Sequence, residues 1–197
     1  MVPLPIDYAK FVSYQCCSKF ICNGCIHTMI LTETDASSCP FCREPVPNAQ
    51  EEREKQLKKR IEANDPVAIC KWGVEQYNKG DYHKAFECYA KAADLGDVDA
   101  RDKLACMYGF GEGVEKDKGK YIRHLEEAAI GGHPEARYSL GFNEAEEMGN
   151  LERAVKHWII GATQGDDQSI KELLNVFKEG YLEKMFLLLL SVHTRQL

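Results

Sequence analysis

The chain repeats one segment three times, and this repetition limits the possible folds more than any other feature. The first copy runs from Asp81 to Gly96 and ends in an alanine followed three positions later by a glycine. Aligning Ala93, Ala129 and Ala162 gives spacings of 36 and 33 residues. A period of this length is typical of stacked helix pairs. We therefore predict a mainly α fold, an α-solenoid of helix-pair repeats.

Each copy is predicted to form two antiparallel helices joined by a turn. In the first copy, Asp65 and Pro66 open one helix, and a second helix runs from Tyr82 to about Leu95. Matching positions of the second helices are predicted to pack in the core: Phe86, Ile122 and Val155; Tyr89, Leu125 and Trp158; Ala93, Ala129 and Ala162. The repeats are placed at about 64–97, 98–133 and 134–169.

The repeat domain is predicted to span residues 64–197 and to end in a cap. Residues 166–180 and 182–193 resemble a further helix pair, which we interpret as a terminal repeat or cap. Its apolar run, Met185–Leu190, is either a buried cap or a self-association patch. Six residues are far fewer than the roughly 20 that a membrane-spanning helix needs.

Composition excludes some classes of partner. The 197 residues carry a net charge of -6, with a pI near 5.6. An acidic chain without a basic stripe disfavours binding to nucleic acid or to a membrane surface. The N-terminal residues lack the apolar core of a signal peptide. We therefore expect an intracellular protein, either cytoplasmic or nuclear.

The nine cysteines are concentrated near the N-terminus. Six of them lie within 27 positions, in the dipeptide Cys16-Cys17 and in two C-x-x-C motifs, Cys22/Cys25 and Cys39/Cys42. A C-x-x-C motif lets two thiolates reach one tetrahedral zinc ion. In a reducing compartment, closely spaced cysteines bind metal more often than they form disulfides. The sequence predicts a small zinc-stabilised domain over residues 1–47.

These motifs resemble a RING finger, in which four ligand pairs alternate between two zinc ions. By this resemblance, Cys22/Cys25 match the third pair and Cys39/Cys42 the fourth. Lys19 stands where the family usually has histidine, so the second pair would be Cys16 with Cys17, or one of them with another donor. No first C-x-x-C pair precedes them. One zinc site is therefore predicted to be complete, whereas the other has only Cys22 and Cys25, with His27 as an optional ligand.

A RING finger binds a ubiquitin-conjugating enzyme and supplies no nucleophile of its own. The resemblance assigns this contact to Pro40 and Arg43, and Phe41 adds apolar surface. In the alternative interpretation, Pro40 only stiffens the turn and Arg43 is a solvated charge. The sequence leaves both interpretations open.

Residues 48–63 are predicted to form a helical linker. Asn48 is a candidate N-cap, and Leu57 and Ile61, four residues apart, can dock the helix onto the first repeat. The basic triplet Lys58-Lys59-Arg60 is interpreted as a solvated helix face rather than as a nuclear signal.

The repeats themselves resemble Sel-one-like repeats, relatives of tetratricopeptide repeats. Three motifs carry this resemblance: Lys84–Gly96, Gly111–Asp117 and Ala136–Gly141. The glycine-rich loop after Gly109 belongs to the repeat, since a phosphate-binding loop needs a preceding strand. Solenoids bind protein segments on a concave surface lined by first helices, here by Lys71, Glu75, Arg101 and Arg137.

Two functions are compatible with these features. The first is a zinc-binding adaptor that acts as a RING-type ubiquitin ligase, with the repeats recruiting a protein or peptide client. The alternative is a non-catalytic repeat scaffold with a degenerate structural zinc finger. No catalytic triad can be assigned from the sequence, so any enzymatic activity would depend on the finger.

Overall fold

The computed structural model describes residues 11–13, 16–17, 19–22, 25, 27–28, 38–46, 50–146 and 149–180. Two short strands, β1 (Phe11–Ser13) and β2 (Phe20–Cys22), form an antiparallel ribbon in which Val12 pairs with Ile21. The helix cap predicted at Asn48 lies outside the described residues.

Eight helices follow within the described part of the chain. They are α1 (Gln50–Glu62), α2 (Pro66–Asn78), α3 (Tyr82–Asp94), α4 (Val98–Phe110), α5 (Lys118–Ile130), α6 (Pro134–Glu146), α7 (Leu151–Thr163) and α8 (Asp167–Lys178). The mainly α class is confirmed. Two compact units divide the chain, and the boundary falls between His124 and Leu125.

Most of these helices start at a side chain that accepts a hydrogen bond from the third residue of the helix. Such an N-cap satisfies a backbone N–H that the helix itself leaves unpaired. Six of the seven caps seen are the aspartates and asparagine that favour this role: Asp65, Asp81, Asp97, Asp117, Asn150 and Asp166. The seventh is His133, whose Nδ1 accepts from the Ala136 N–H at 3.3 Å. The sequence analysis missed this cap because histidine is not a usual N-cap residue.

The predicted core positions are inside. Six of the nine are buried, including Tyr89, Leu125 and Trp158, which are 1–3% exposed. The other three are partly buried: Phe86, Ile122 and Ala162. The regular spacing of apolar residues along the second helices was therefore sufficient to identify the core.

The linker helix α1 docks as predicted, with one correction. Leu57 is 3% exposed, and Ile61 packs against the core formed around α2 and α3. Arg60 is only 8% exposed and forms an ion pair with the N-cap residue Asp65. The interpretation of the whole basic triplet as a solvated face is wrong at this position. The turn after α1 places Asp65, five residues on, beside the buried guanidinium of Arg60.

Two glycines let the helices of a pair approach closely. A Cβ atom added to Gly73 of α2 would lie 2.7 Å from the Tyr89 ring of α3. In the second unit, a Cβ atom added to Gly141 of α6 would lie 2.5 Å from Nε1 of Trp158 on α7. The aromatic ring occupies the space that a side chain on the first helix would need. The α2/α3 pair and the α6/α7 pair are therefore each closed by a large residue against a glycine.

We expect Gly141→Ala to lower the free energy of unfolding by about 1–3 kcal/mol, the usual cost of overpacking a well-packed core. The added methyl group would also lie 3.0 Å from the backbone oxygen of Ala154. The control is Gly119→Ala in α5, where the nearest atom, Oδ1 of Asp117, would be 3.4 Å away. Urea denaturation followed by circular dichroism measures both variants. Equal stability of the two variants would contradict the packing argument.

Candidate functional site

The segment around the last two cysteines of the finger forms a tight turn. The backbone N–H of Arg43 donates to the carbonyl of Cys39, and the N–H of Cys39 donates to the carbonyl of Glu44, both at 2.8 Å. Arg43 has a φ of 62°, in the left-handed region. This turn leaves the thiols of Cys39 and Cys42 close enough to share one ligand.

Four thiols meet at this turn. Cys16 and Cys17 lie in the turn between β1 and β2, and their sulfur atoms are within 4.8 Å of one another and of those of Cys39 and Cys42. The Sγ atoms of Cys16 and Cys42 are 3.3 Å apart, and those of Cys17 and Cys39 are 3.6 Å apart. Cys39 is fully buried, whereas Cys42 is exposed. The structure thus brings together the four cysteines assigned to one site by their order in the sequence.

The size of this cluster matches a tetrahedral zinc site. With Zn–S bonds of about 2.3 Å, the sulfur atoms of such a site are separated by about 3.8 Å. The two measured separations, 3.3 and 3.6 Å, are slightly shorter. Four thiolates are also a donor set that favours zinc over magnesium or calcium. The four cysteines could therefore hold a structural zinc ion without a large rearrangement.

The surroundings of the thiols differ in how they affect ionisation. Burial raises the pKa of Cys39, but the backbone N–H groups of Cys42 and Phe41 donate to its sulfur and, with the neighbouring thiols, lower the pKa to about 7. Burial and the thiols of Cys42 and Cys39 raise the pKa of Cys16 above its usual range. Cys39 is therefore the thiol most easily converted to a thiolate. Metal binding would release protons from the others.

The three residues predicted to contact a partner lie on the outside of the same turn. Pro40 and Arg43 are exposed, and Phe41 is 43% exposed. The ammonium group of Lys19 lies 5.4 Å from the centre of the Phe41 ring, a cation–π distance. The side chain of Lys19, which stands where a histidine ligand was expected, therefore contacts the turn, whereas its backbone N–H donates to the sulfur of Cys17.

The predicted second pair, Cys22 and Cys25, is only partly described. The backbone of Cys22 ends β2, and its side chain lies outside the described residues. Cys25 and His27 are both exposed. A second zinc site at this pair stays a prediction.

The first unit has an open cleft of about 490 Å³ between α3, α4 and the loop that leads to α5. The rings of Phe86 and Tyr108 meet edge to face at 5.6 Å, and the Lys120 ammonium lies 4.9 Å from the centre of the Tyr108 ring. On Tyr108, the His124 ring stacks at 5.6 Å. This cleft presents aromatic surface beside lysines.

The second unit has a half-buried polar cluster on α6 and α7. Glu144, 8% exposed, accepts from Arg153 at 3.0 Å. Burial lowers the pKa of His157, and the charge of Arg137 lowers it further. Arg137 was predicted to line the concave surface, and it is partly buried, as are Lys71, Glu75 and Arg101 of the first unit. Sequence analysis did not single out Glu144, because its burial depends on the packing of α6 against α7.

Comparisons with known proteins agree with the helical part. The Sel1 repeat family model matches residues 68–97, 98–133 and 134–166. A crystal structure of a Sel1 repeat protein from Oxalobacter formigenes superposes with a TM-score of 0.62 and 30% identity, and the match covers 68% of this chain and 58% of that one. The resemblance to Sel-one-like repeats is confirmed. No family match supports the resemblance to a RING finger, which stays a prediction.

Two further relatives share part of the chain. A protective antigen of uropathogenic Escherichia coli that displays an SLR fold superposes with a TM-score of 0.57 and 29% identity, covering 64% of this chain and 28% of that one. An exopolysaccharide production negative regulator of Rhizobium meliloti (strain 1021) is 37% identical over 70 residues. That match covers 35% of this chain and 26% of the regulator.

None of the helices in the described ranges is both long and apolar enough to cross a membrane.

The lowered pKa of His157 predicts a pH dependence of stability. Above its ordinary pKa of 6.5, a histidine is neutral in both the folded and the unfolded protein and does not affect stability. As the pH falls from 6.5 through the lower pKa of the folded state, the unfolded chain binds the proton more readily, so the free energy of unfolding decreases. When the pH is lowered from 7.5 to 5, we expect the free energy of unfolding to fall less in His157→Gln than in the wild type. Urea denaturation at both pH values tests this.

The control for this experiment is His83→Gln, since the His83 side chain is 80% exposed. This variant should keep the pH dependence of the wild type. If His157→Gln and His83→Gln behave alike, burial of His157 is not the cause.

Proposed function

Because the chain belongs to the Sel1 repeat family, we propose that it is an adaptor that binds a protein or peptide client with its repeats and presents it beside a zinc-stabilised finger. The observation that carries the proposal is the combination of three matched repeats with four clustered thiols in one chain. Sel1 repeat solenoids generally bind protein partners, so the repeats are the client-binding part.

Several features of the repeats support client binding. The cleft beside Phe86 and Tyr108 offers aromatic surface to an apolar side chain. Its edge carries both signs of charge, since Glu115 and Asp117 line it together with Lys116 and Lys120, and the Lys120 ammonium lies 3.8 Å from Asp117. The related Rhizobium meliloti protein is a negative regulator, a role that fits binding better than catalysis. The match to that regulator covers a quarter of its length, so its regulatory role is carried over here only as part of the proposal.

In this proposal, zinc has a structural role. The finger has few large apolar residues, and a zinc ion bound by four thiolates can supply on the order of 10 kcal/mol of folding free energy to such a segment. Cys16, Cys17, Cys39 and Cys42 would hold the ion. Because Cys39 is fully buried, its loss should affect the site most.

Ubiquitin ligase activity is the second candidate function. The observation that favours it is the exposure of Pro40, Phe41 and Arg43 on the turn that carries two of the four thiols. A residue with a side chain in the left-handed region costs free energy that glycine would avoid. The position of Arg43, with a φ of 62°, therefore supports a role for its side chain. A scaffold with a purely structural finger would not need this arginine.

We expect purified full-length protein to contain at least about one equivalent of zinc, and Cys39→Ser to lose about one equivalent. Cys88→Ser is the control, because Cys88 is a partly buried residue of α3 outside the cluster. Zinc per mole is measured by plasma mass spectrometry. A content near two would support a second site at Cys22/Cys25, whereas a metal-free wild type would refute the zinc proposal and leave a repeat scaffold.

For the ligase candidate, we expect the wild type to assemble ubiquitin chains with at least one conjugating enzyme in an in vitro screen, and Arg43→Gly to lose most of this activity. Glycine accepts the φ of Arg43, so the turn and the zinc content should be retained. Inactivity of the wild type with every enzyme tested would favour the non-catalytic scaffold. Full activity of Arg43→Gly would exclude the proposed role of this arginine.

A further inference from the structure

The last helix, α8, has an apolar face that no described residue covers. Ile170, Leu174 and Phe177 follow each other at helical spacing and are 41%, 52% and 66% exposed. Val176, on another side of the same helix, is 6% exposed and belongs to the core shared with α7. The helix therefore has two apolar sides, as expected of a helix packed between two neighbours.

Alignment of the N-caps shows what covers the same face in the first repeat. Asp166, the cap of α8, corresponds to Asp65, the cap of α2. In this register, the three exposed residues of α8 correspond to Ile69, Gly73 and Gln76 of α2. All three are buried, and Gly73 lies directly against Tyr89 of α3, the second helix of its pair. The exposed face of α8 is thus the face that its own second helix would cover.

The turn after α8 repeats two of the hydrogen bonds in the turn after α2. At the end of α2, Lys79 N–H donates to Glu75 and Gly80 N–H to Tyr77, and Gly80 has a φ of 83°. At the end of α8, Glu179 N–H donates to Asn175 and Gly180 N–H to Phe177, and Gly180 has a φ of 70°. After α2, this turn directs the chain into α3. Gly180 after α8 has the same left-handed backbone conformation as Gly80.

The sequence beyond Gly180 carries the pattern of a second helix. In each second helix, the fourth, fifth, eighth and eleventh positions are apolar or glycine and at least partly buried. These residues are Ala85, Phe86, Tyr89 and Ala92 in α3; Tyr121, Ile122, Leu125 and Ala128 in α5; and Ala154, Val155, Trp158 and Gly161 in α7. If a helix starts at Leu182, these positions are Met185, Phe186, Leu189 and Val192. Residues 182–194 also match the 13-residue length of those helices.

We propose that residues 182–194 form the second helix of a fourth pair and cover Ile170, Leu174 and Phe177. The sizes of the facing residues agree. Where α6 has Gly141 and α7 has Trp158, α8 has Leu174 and the proposed helix has Leu189. Trp158 alone fills the space between α6 and α7 at this position. Leu174 and Leu189 together would fill the equivalent space, so the side-chain volume between the two helices is similar.

This fourth pair extends the array beyond residue 166, where the family match ends. It also gives the apolar run Met185–Leu190 a partner within the chain instead of in a second molecule. A fourth first helix would add to the surface available to a client. The inference is independent of zinc and of ligase activity, since it concerns only α8 and the residues after it.

Hydrogen exchange of the full-length protein, followed by mass spectrometry, tests the proposal. We expect the amides of 182–194 to exchange about tenfold or more slowly than in an unstructured chain, at a rate independent of protein concentration. Leu189→Asp should abolish this protection and also raise exchange in α8. Leu187→Asp is the matched control, because the equivalent residues Glu87, Arg123 and Lys156 are charged and exposed. It should leave exchange unchanged.

Three results would overturn the proposal. The first is fast exchange throughout 182–194 in the wild type. The second is an equal effect of Leu189→Asp and Leu187→Asp. The third is protection that rises with protein concentration together with a doubled mass in light scattering, which would assign the apolar face to a second copy. Unchanged exchange in α2 and α3 would show that the variants have not unfolded the other unit.

Discussion

The close packing of a large aromatic side chain against a glycine is the interaction on which the α2/α3 and α6/α7 pairs depend most. Tyr89 against Gly73 and Trp158 against Gly141 leave no room for even one methyl group. Because the helix axes can approach this closely only where one side chain is absent, the position of the glycine determines the register of the pair. The N-caps and positive-φ glycines then determine where each helix starts and ends, so the same unit recurs along the chain.

The finger depends on different physics. Its described part has two three-residue strands and one buried hydrophobic residue, Cys39. Apolar burial of this extent cannot stabilise a separate domain, which is why small domains use metals or disulfides. The hydrogen bonds from backbone N–H groups to the Cys39 sulfur stabilise a thiolate whether or not it binds a metal. The repeats gain their stability from packing, whereas the finger would gain it from one ion.

Much of this could be predicted because the underlying signals are local. Helix caps, turns and the spacing of apolar residues involve groups a few positions apart, so the starts of α2 at Pro66 and of α3 at Tyr82 were predicted correctly. The mistakes involve groups brought together by packing. Arg60 was assigned to a solvated face, but the fold buries it against Asp65. His133 was not recognised as a cap, because histidine is not among the usual N-cap residues. In the fold its imidazole Nδ1 nevertheless accepts the capping hydrogen bond.

The sequence by itself determined that this chain forms helix-pair repeats and which residues of the second helices are in the core. These follow from periodicity and spacing, which are properties of a linear chain. Only the tertiary structure decided that Cys16, Cys17, Cys39 and Cys42 meet within 4.8 Å, that Glu144 is buried, and that one face of α8 is exposed. Such facts depend on distances between segments far apart in sequence, and no local pattern encodes them.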